Sequence, residues 1–239
     1  MKIFLKTFGF IFINIYMISC SKDIPTTHIV FIDYSISSSI FEGNNPEKIV
    51  SEIGNIWDNM SSNDKIYIYP IHKYTATASH IMKAQKEINT GDLNGLNNEK
   101  KIKSELLLSI RTKIFKNTII PKSSRMYTNI YPLLWKILNH FDINGNVSVY
   151  IISDMIHEDE NEKLNELFIS KTIHEVANLA LQKYEELELF NAPKPSTVHI
   201  KIPGTVQGSK YDEKIRLSII QYWKELFKLC SYVTVFEDL

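Results

Sequence analysis

Two short apolar runs, each ending in an aspartate, constrain this chain more than any other feature. The first is His28-Ile-Val-Phe-Ile-Asp33 and the second is Asn146-Val-Ser-Val-Tyr-Ile-Ile-Ser-Asp154. Both are rich in β-branched and aromatic residues and are bounded by polar turn residues, which predicts buried strands. Ligands of open α/β sheets bind at the carboxyl ends of parallel strands, where both aspartates fall.

The residues after Asp33 narrow the chemistry. Asp33-Tyr-Ser35-Ile-Ser37 places a carboxylate and two hydroxyls at alternate positions. A hard divalent cation such as Mg²⁺ takes oxygen ligands in near-octahedral geometry and keeps some of its waters. One carboxylate and two neutral oxygens from a single turn suit such an ion. With few negative ligands the metal stays electrophilic, and an open position favours a carboxylate from outside.

Strands and helices alternate along the rest of the chain. Helical periodicity marks residues 46–60, with Ile49, Val50, Ile53, Ile56, Trp57 and Met60 on one stripe. It recurs through Ile102, Leu106, Ile110 and Ile114 in 99–116, and over 161–187 and 211–230. Thr128 is expected at or near the start of another helix, and 91–98 reads as a polar loop. Strands are expected at 65–71, 197–202 and 231–236, with a weakly alternating edge strand at 74–82. The order predicts an α/β domain with a doubly wound, mainly parallel sheet and helices on both faces.

Asp33-Tyr-Ser35-Ile-Ser37, Thr128 in Thr-Asn-Ile-Tyr-Pro-Leu-Leu, and Asp154 in Tyr-Ile-Ile-Ser-Asp stand in a telling order. From about Thr27 onward the chain resembles a von Willebrand factor type A (vWA) domain. The metal-ion-dependent adhesion site of that family joins an Asp-x-Ser-x-Ser motif, a threonine in a later loop and an aspartate after the fourth strand. The resemblance implies a Rossmann-like vWA fold and a site for Mg²⁺ or Mn²⁺. Ser35, Ser37 and Thr128 would ligate the metal through hydroxyls, and Asp33 and Asp154 largely through bound waters. It also implies a protein partner offering an Asp or Glu carboxylate, with residues 38–45, 125–127 and 155–159 forming a rim that sets specificity. Tyr127 and Met155 stand where the family commonly has glycine. These bulkier neighbours are expected to narrow access to the metal or to change which partner fits.

Two other function classes stay open. A metal-dependent hydrolase of phosphate esters needs a nucleophile or base beside the metal. An aspartyl-nucleophile phosphatase would typically carry a second carboxylate two residues on, where this chain has Ser35, and no Gly-rich phosphate loop or nucleophile elbow occurs. A metal-free vWA scaffold is the third class. Lysine plus arginine (27) equals aspartate plus glutamate (27), so no net field argues for nucleic acid.

The N-terminal segment reads as targeting. Lys2 and Lys6 precede an apolar stretch, 8–18, too short for a comfortable membrane span. It ends in Met17-Ile18-Ser19-Cys20, which resembles the lipobox of bacterial lipoproteins. That resemblance implies a signal peptide at 1–19, a lipidated tether at 20–27 and the vWA-like domain at 28–239. Cys20 would carry the lipid and anchor the chain in the cell envelope on the extracytoplasmic side. Ser21 after the cysteine implies the outer membrane where there are two. An ordinary signal peptide or an uncleaved anchor is the open alternative.

Cys230 is then the one remaining cysteine, so an intramolecular disulfide is excluded in the mature chain, and it reads as a small buried hydrophobe. His72, His80 and His157 show no metal-ligand spacing and are expected to serve surface or packing roles. The run Glu158-Asp159-Glu160 reads as a solvated helix start.

Overall fold

The computed structural model describes residues 24–35, 45–87, 93–116, 120–139, 146–189, 197–202 and 213–238. Cys20 and Ser37 lie outside the described residues, as does the proposed signal peptide. The strands are β1 (Thr26–Asp33), β2 (Lys65–Ile71), β3 (Met82–Gln85), β4 (Asn146–Ile152), β5 (Thr197–Ile202) and β6 (Thr234–Asp238). The helices are α1 (Asn45–Asn59), α2 (Leu93–Lys116), α3 (Tyr131–Asn139), α4 (Leu164–Phe168), α5 (Ile173–Glu186) and α6 (Glu213–Leu229), with a 3₁₀ turn at Lys122–Arg125.

The sheet order is β3-β2-β1-β4-β5-β6, and every pairing is parallel except β2 with the edge strand β3. This is the doubly wound α/β sheet expected from the sequence. β1 is central, and Ile29, Val30, Phe31 and Ile32 are all fully buried because both faces of the strand are covered. Their alternation separates two cores. Val30 and Ile32 pack with Ile66, Ile68, Ile49, Ile53 and Trp57, under α1 and α2. Ile29 and Phe31 pack with Val149, Ile151, Leu133, Val176 and Trp223, under α3, α5 and α6.

That division creates a crevice. The chain leaves β1 toward α1 on one face and leaves β4 toward α4 and α5 on the other, although β1 and β4 are hydrogen-bonded neighbours. Two neighbouring parallel strands whose connections part to opposite faces make a topological switch point, which opens a cleft at their carboxyl ends.

Several boundaries differ from the sequence reading. The segment expected as an edge strand at 74–82 instead turns. Thr75 accepts the backbone N–H of His72 at 2.9 Å and donates to its carbonyl at 2.6 Å, so strand pairing waits until Met82. The single long helix expected over 161–187 is two, because Thr172 caps α5 reciprocally with Glu175. Helix α2 begins at Leu93, inside the expected polar loop, and Lys86 pairs with Glu99 at 3.3 Å beside its first turns. Cys230 is buried, as expected. Among the described residues no helix is long and apolar enough to cross a membrane.

Candidate metal centre

Asp33 is the last residue of β1, and the register that pairs Ile32 with Ile152 brings it beside Ser153. The Ser153 hydroxyl donates to Asp33 Oδ2 at 2.8 Å, and the Ser35 backbone N–H donates to Asp33 Oδ1 at 2.9 Å. Both oxygens are thereby oriented, and Asp33 and Ser35 are fully buried. Asp154 follows directly, part-buried, with Oδ1 accepting the backbone N–H of Ile156 at 3.0 Å. Two carboxylates and a serine hydroxyl thus stand at the ends of adjacent strands, in the cleft.

Thr128 lies three residues before α3 and is buried. It pairs in both directions with Glu158, its N–H donating to the Glu158 carbonyl and its carbonyl accepting from the Glu158 N–H, each at 3.0 Å. This bridge ties the threonine loop to the loop that carries Asp154. His157 reinforces the tie: its Nδ1 accepts the Ile130 backbone N–H at 3.2 Å, and Nε2 faces Asp159 at 3.4 Å. Asp33, Ser35, Thr128 and Asp154 therefore sit on linked segments at one end of the sheet.

The electrostatics of the pair are unfavourable without a cation. Burial holds Asp33 above the ordinary carboxylate range, against the hydrogen bonds from Ser35 and Ser153 that favour its charged form. Burial likewise raises Asp154, and the charge of Asp33 raises it further. None of the groups acting most strongly on either carboxylate is a cation. A divalent ion placed between them would remove this repulsion, so the donor set fits a hard cation. Among the described residues no group of three or more His, Cys, Asp or Glu side chains converges. The cluster here has two carboxylates, accompanied by the Ser153 hydroxyl and the hydroxyl-bearing residues Ser35 and Thr128.

Some expectations are corrected. Met155 has φ 61°, the left-handed region where glycine is at ease. Its side chain does not narrow the cleft, because it is wholly buried in the core beneath the sheet's second face. Ile156 and His157 are buried too, so of the expected rim at 155–159 only Glu158, Asp159 and Glu160 beyond it reach the surface. The acidic run is not a helix start. Glu158 belongs to the bridge, Asp159 accepts the N–H groups of Asn161 and Glu162, and Glu160 pairs with Lys73.

Ser153, His157 and Trp223 support the site and were not singled out as its parts from sequence. Ser153 is one residue before Asp154, and its alternation with Ile152 was the available signal. Trp223 on α6 has no sequence signal of this kind. A cavity of about 270 Å³ beside α5 and α6 is lined by Glu162, Lys183, Glu186 and Tyr222, and none of the predicted site residues lines it.

No family model matches the chain, and no curated protein matches it. Among solved structures, the chain aligns with the ArnB paralog VWA2 from Sulfolobus acidocaldarius at 14% identity and TM-score 0.46, over 90% of this chain and 41% of that one. A von Willebrand factor type A protein from Catenulispora acidiphila aligns at 10% identity and TM-score 0.45, over 90% and 39%. Proximal thread matrix protein 1 from the mussel byssus, with a zinc-occupied MIDAS motif, aligns at 10% identity and TM-score 0.44, over 90% and 44%. The chain therefore spans about two fifths of the length of these proteins.

Proposed function

We propose that this chain is a vWA-type binding module that holds a divalent cation, Mg²⁺ or Mn²⁺, and uses it to recognise an acidic side chain of a protein partner. One observation carries the reading: Asp33, buried, and Asp154, part-buried, lie at the ends of adjacent parallel strands in the switch-point cleft and repel one another, with no cation among the groups that act most strongly on them. Ser35, Ser37 and Thr128 would complete the oxygen set. The bound ion would supply a positive point that accepts a carboxylate oxygen. The chain's own residues orient Asp33 through Ser153 and brace the threonine loop on Glu158 and His157.

We read the site as binding rather than catalytic. Ser35 stands where an aspartyl-nucleophile phosphatase would carry its second carboxylate. The lipobox-like end of the leader supports a chain anchored in a bacterial envelope through Cys20, which puts its partner on the extracytoplasmic side.

A thermal-shift titration of the full chain with Mg²⁺ and Mn²⁺ tests the reading. A ligand bound by the native state raises apparent stability with the logarithm of its concentration over Kd. The wild type should shift progressively while Asp154→Ala stays flat. Equal shifts in both proteins, or none in the wild type, would overturn the proposal.

A further inference from the structure

Three loops at the carboxyl edge of the sheet converge on one lysine. Lys73 follows β2, and its backbone N–H donates to the Ser124 carbonyl at 2.9 Å, which ties the β2 loop to the turn ahead of Thr128. Its ammonium pairs with Glu160, on the loop after Asp154. It also lies 5.7 Å from the Tyr74 ring centroid and 5.3 Å from that of Tyr127, the residue preceding Thr128. Tyr74 is 53% exposed, so an aromatic surface borders the cation.

The arrangement separates two roles. The aromatic rings attract the ammonium whether or not Glu160 is there, so the cation keeps its place if the carboxylate leaves. Glu160 is the more exposed member, its side chain 60% accessible against 31% for Lys73. An exposed ion pair contributes no more than roughly a fivefold factor to an equilibrium, so an incoming carboxylate displaces it at little cost.

We propose that Lys73 is a second anchor point for the partner, with Glu160 as the intramolecular occupant that the partner replaces. This rests on the metal-binding reading above. The partner is then a protein segment with two acidic residues, one for the metal and one for Lys73, and an apolar side chain that lies on the Tyr74 ring. Charge complementarity chooses this occupant, because the metal and Lys73 together present two positive points beside an aromatic surface.

The test is a fluorescence-anisotropy screen of the full chain, in millimolar MgCl₂, against N-acetylated heptapeptides with one fixed central aspartate. Wild-type protein should select peptides carrying a second acidic residue and an aliphatic or aromatic residue near the fixed one. Lys73→Gln should weaken those peptides by roughly 2–5-fold and lose the second acidic preference while still requiring the fixed aspartate. Glu160→Gln should tighten them by roughly 2–5-fold. Selection without a second acidic residue, or indifference to Lys73→Gln, would overturn the proposal. So would Lys73-dependent binding to phosphatidylglycerol vesicles with no peptide selected, which would assign the cation to a lipid surface. A chain that shifts with Mg²⁺ yet selects no peptide refutes the second anchor alone; one that does not shift refutes the metal reading beneath it.

Discussion

Trp223, on the last helix, donates its indole N–H to the backbone carbonyl of Met155 at 2.7 Å. The helix most distant in sequence from β1 thus fixes the residue that follows Asp154. Trp223 is fully buried against Tyr131 and Phe227, with ring centroids 5.5 and 5.8 Å away. Trp223→Phe keeps most of the packing and removes the donor. It should cost about 1–3 kcal/mol by chemical denaturation, since a buried carbonyl loses its partner.

Met155 should reverse a familiar order. In most positions alanine is better tolerated than glycine, but at φ 61° an alanine keeps the left-handed strain and glycine does not. Both substitutions lose the buried side chain at a cost of about 2–5 kcal/mol. Met155→Gly should nevertheless be more stable than Met155→Ala by about 1 kcal/mol. Parallel denaturant melts of the two variants measure the difference.

Ser153 links the two halves of the site. Its hydroxyl donates to Asp33 and accepts the Met155 N–H at 3.0 Å. Ser153→Ala should weaken Mn²⁺ binding by roughly 10-fold in calorimetry, the lower end of what partners of metal ligands contribute. Ser153→Thr, which restores a hydroxyl, should recover part of it.

The doubly wound fold was legible because apolar runs ending in aspartate survive as strands wherever both sheet faces are covered. β2 and β5 fall where expected, and β4 differs only in that Ser153 and Asp154 lie just beyond its end. Two boundaries were missed because short-range side-chain bonds to the backbone override the periodicity. The edge strand lost to the Thr75 turn, and the break before α5, come from side-chain bonds to backbone. The second break was in fact written locally, as the Thr172-Ile-His-Glu175 capping box. Of the candidate ligands, Asp33, Ser35, Thr128 and Asp154 lie on linked segments at one end of the sheet. The burial of Met155 and the reach of Lys73 toward Tyr127 were not legible, because Met155 is held by Trp223 of the last helix and Lys73 is tied to a turn distant in sequence through the Ser124 carbonyl.

pH acts on the metal-free chain through the carboxylates. Burial raises Asp33 and Asp154 above their unfolded values, Asp154 to about 8. The folded chain then holds more protons than the unfolded one in that window. Stability contributed by the protonated pair is full below the unfolded carboxylate pKa of about 4 and is lost as pH rises toward about 8. Added Mg²⁺ replaces the proton, so its stabilising shift should grow over the same range. Melts with and without metal across that interval, beside Asp154→Asn, check both trends.

His157 acts in the opposite direction. Burial holds it below its ordinary value and neutral, with Nδ1 accepting from Ile130. Its contribution is present above the unfolded pKa of about 6.5 and lost as pH falls below it. His157→Gln should flatten the acid limb of the stability profile, read by urea midpoints on either side of that pH.

The most direct test of the account is a crystal structure of the chain grown with Mn²⁺, with anomalous difference density recorded at the manganese edge. A strong peak among Asp33, Ser35, Ser37, Thr128 and Asp154, at the carboxyl ends of β1 and β4, is the predicted result. Well-ordered density for those five residues with no peak between them, or a peak only elsewhere on the surface, would contradict it.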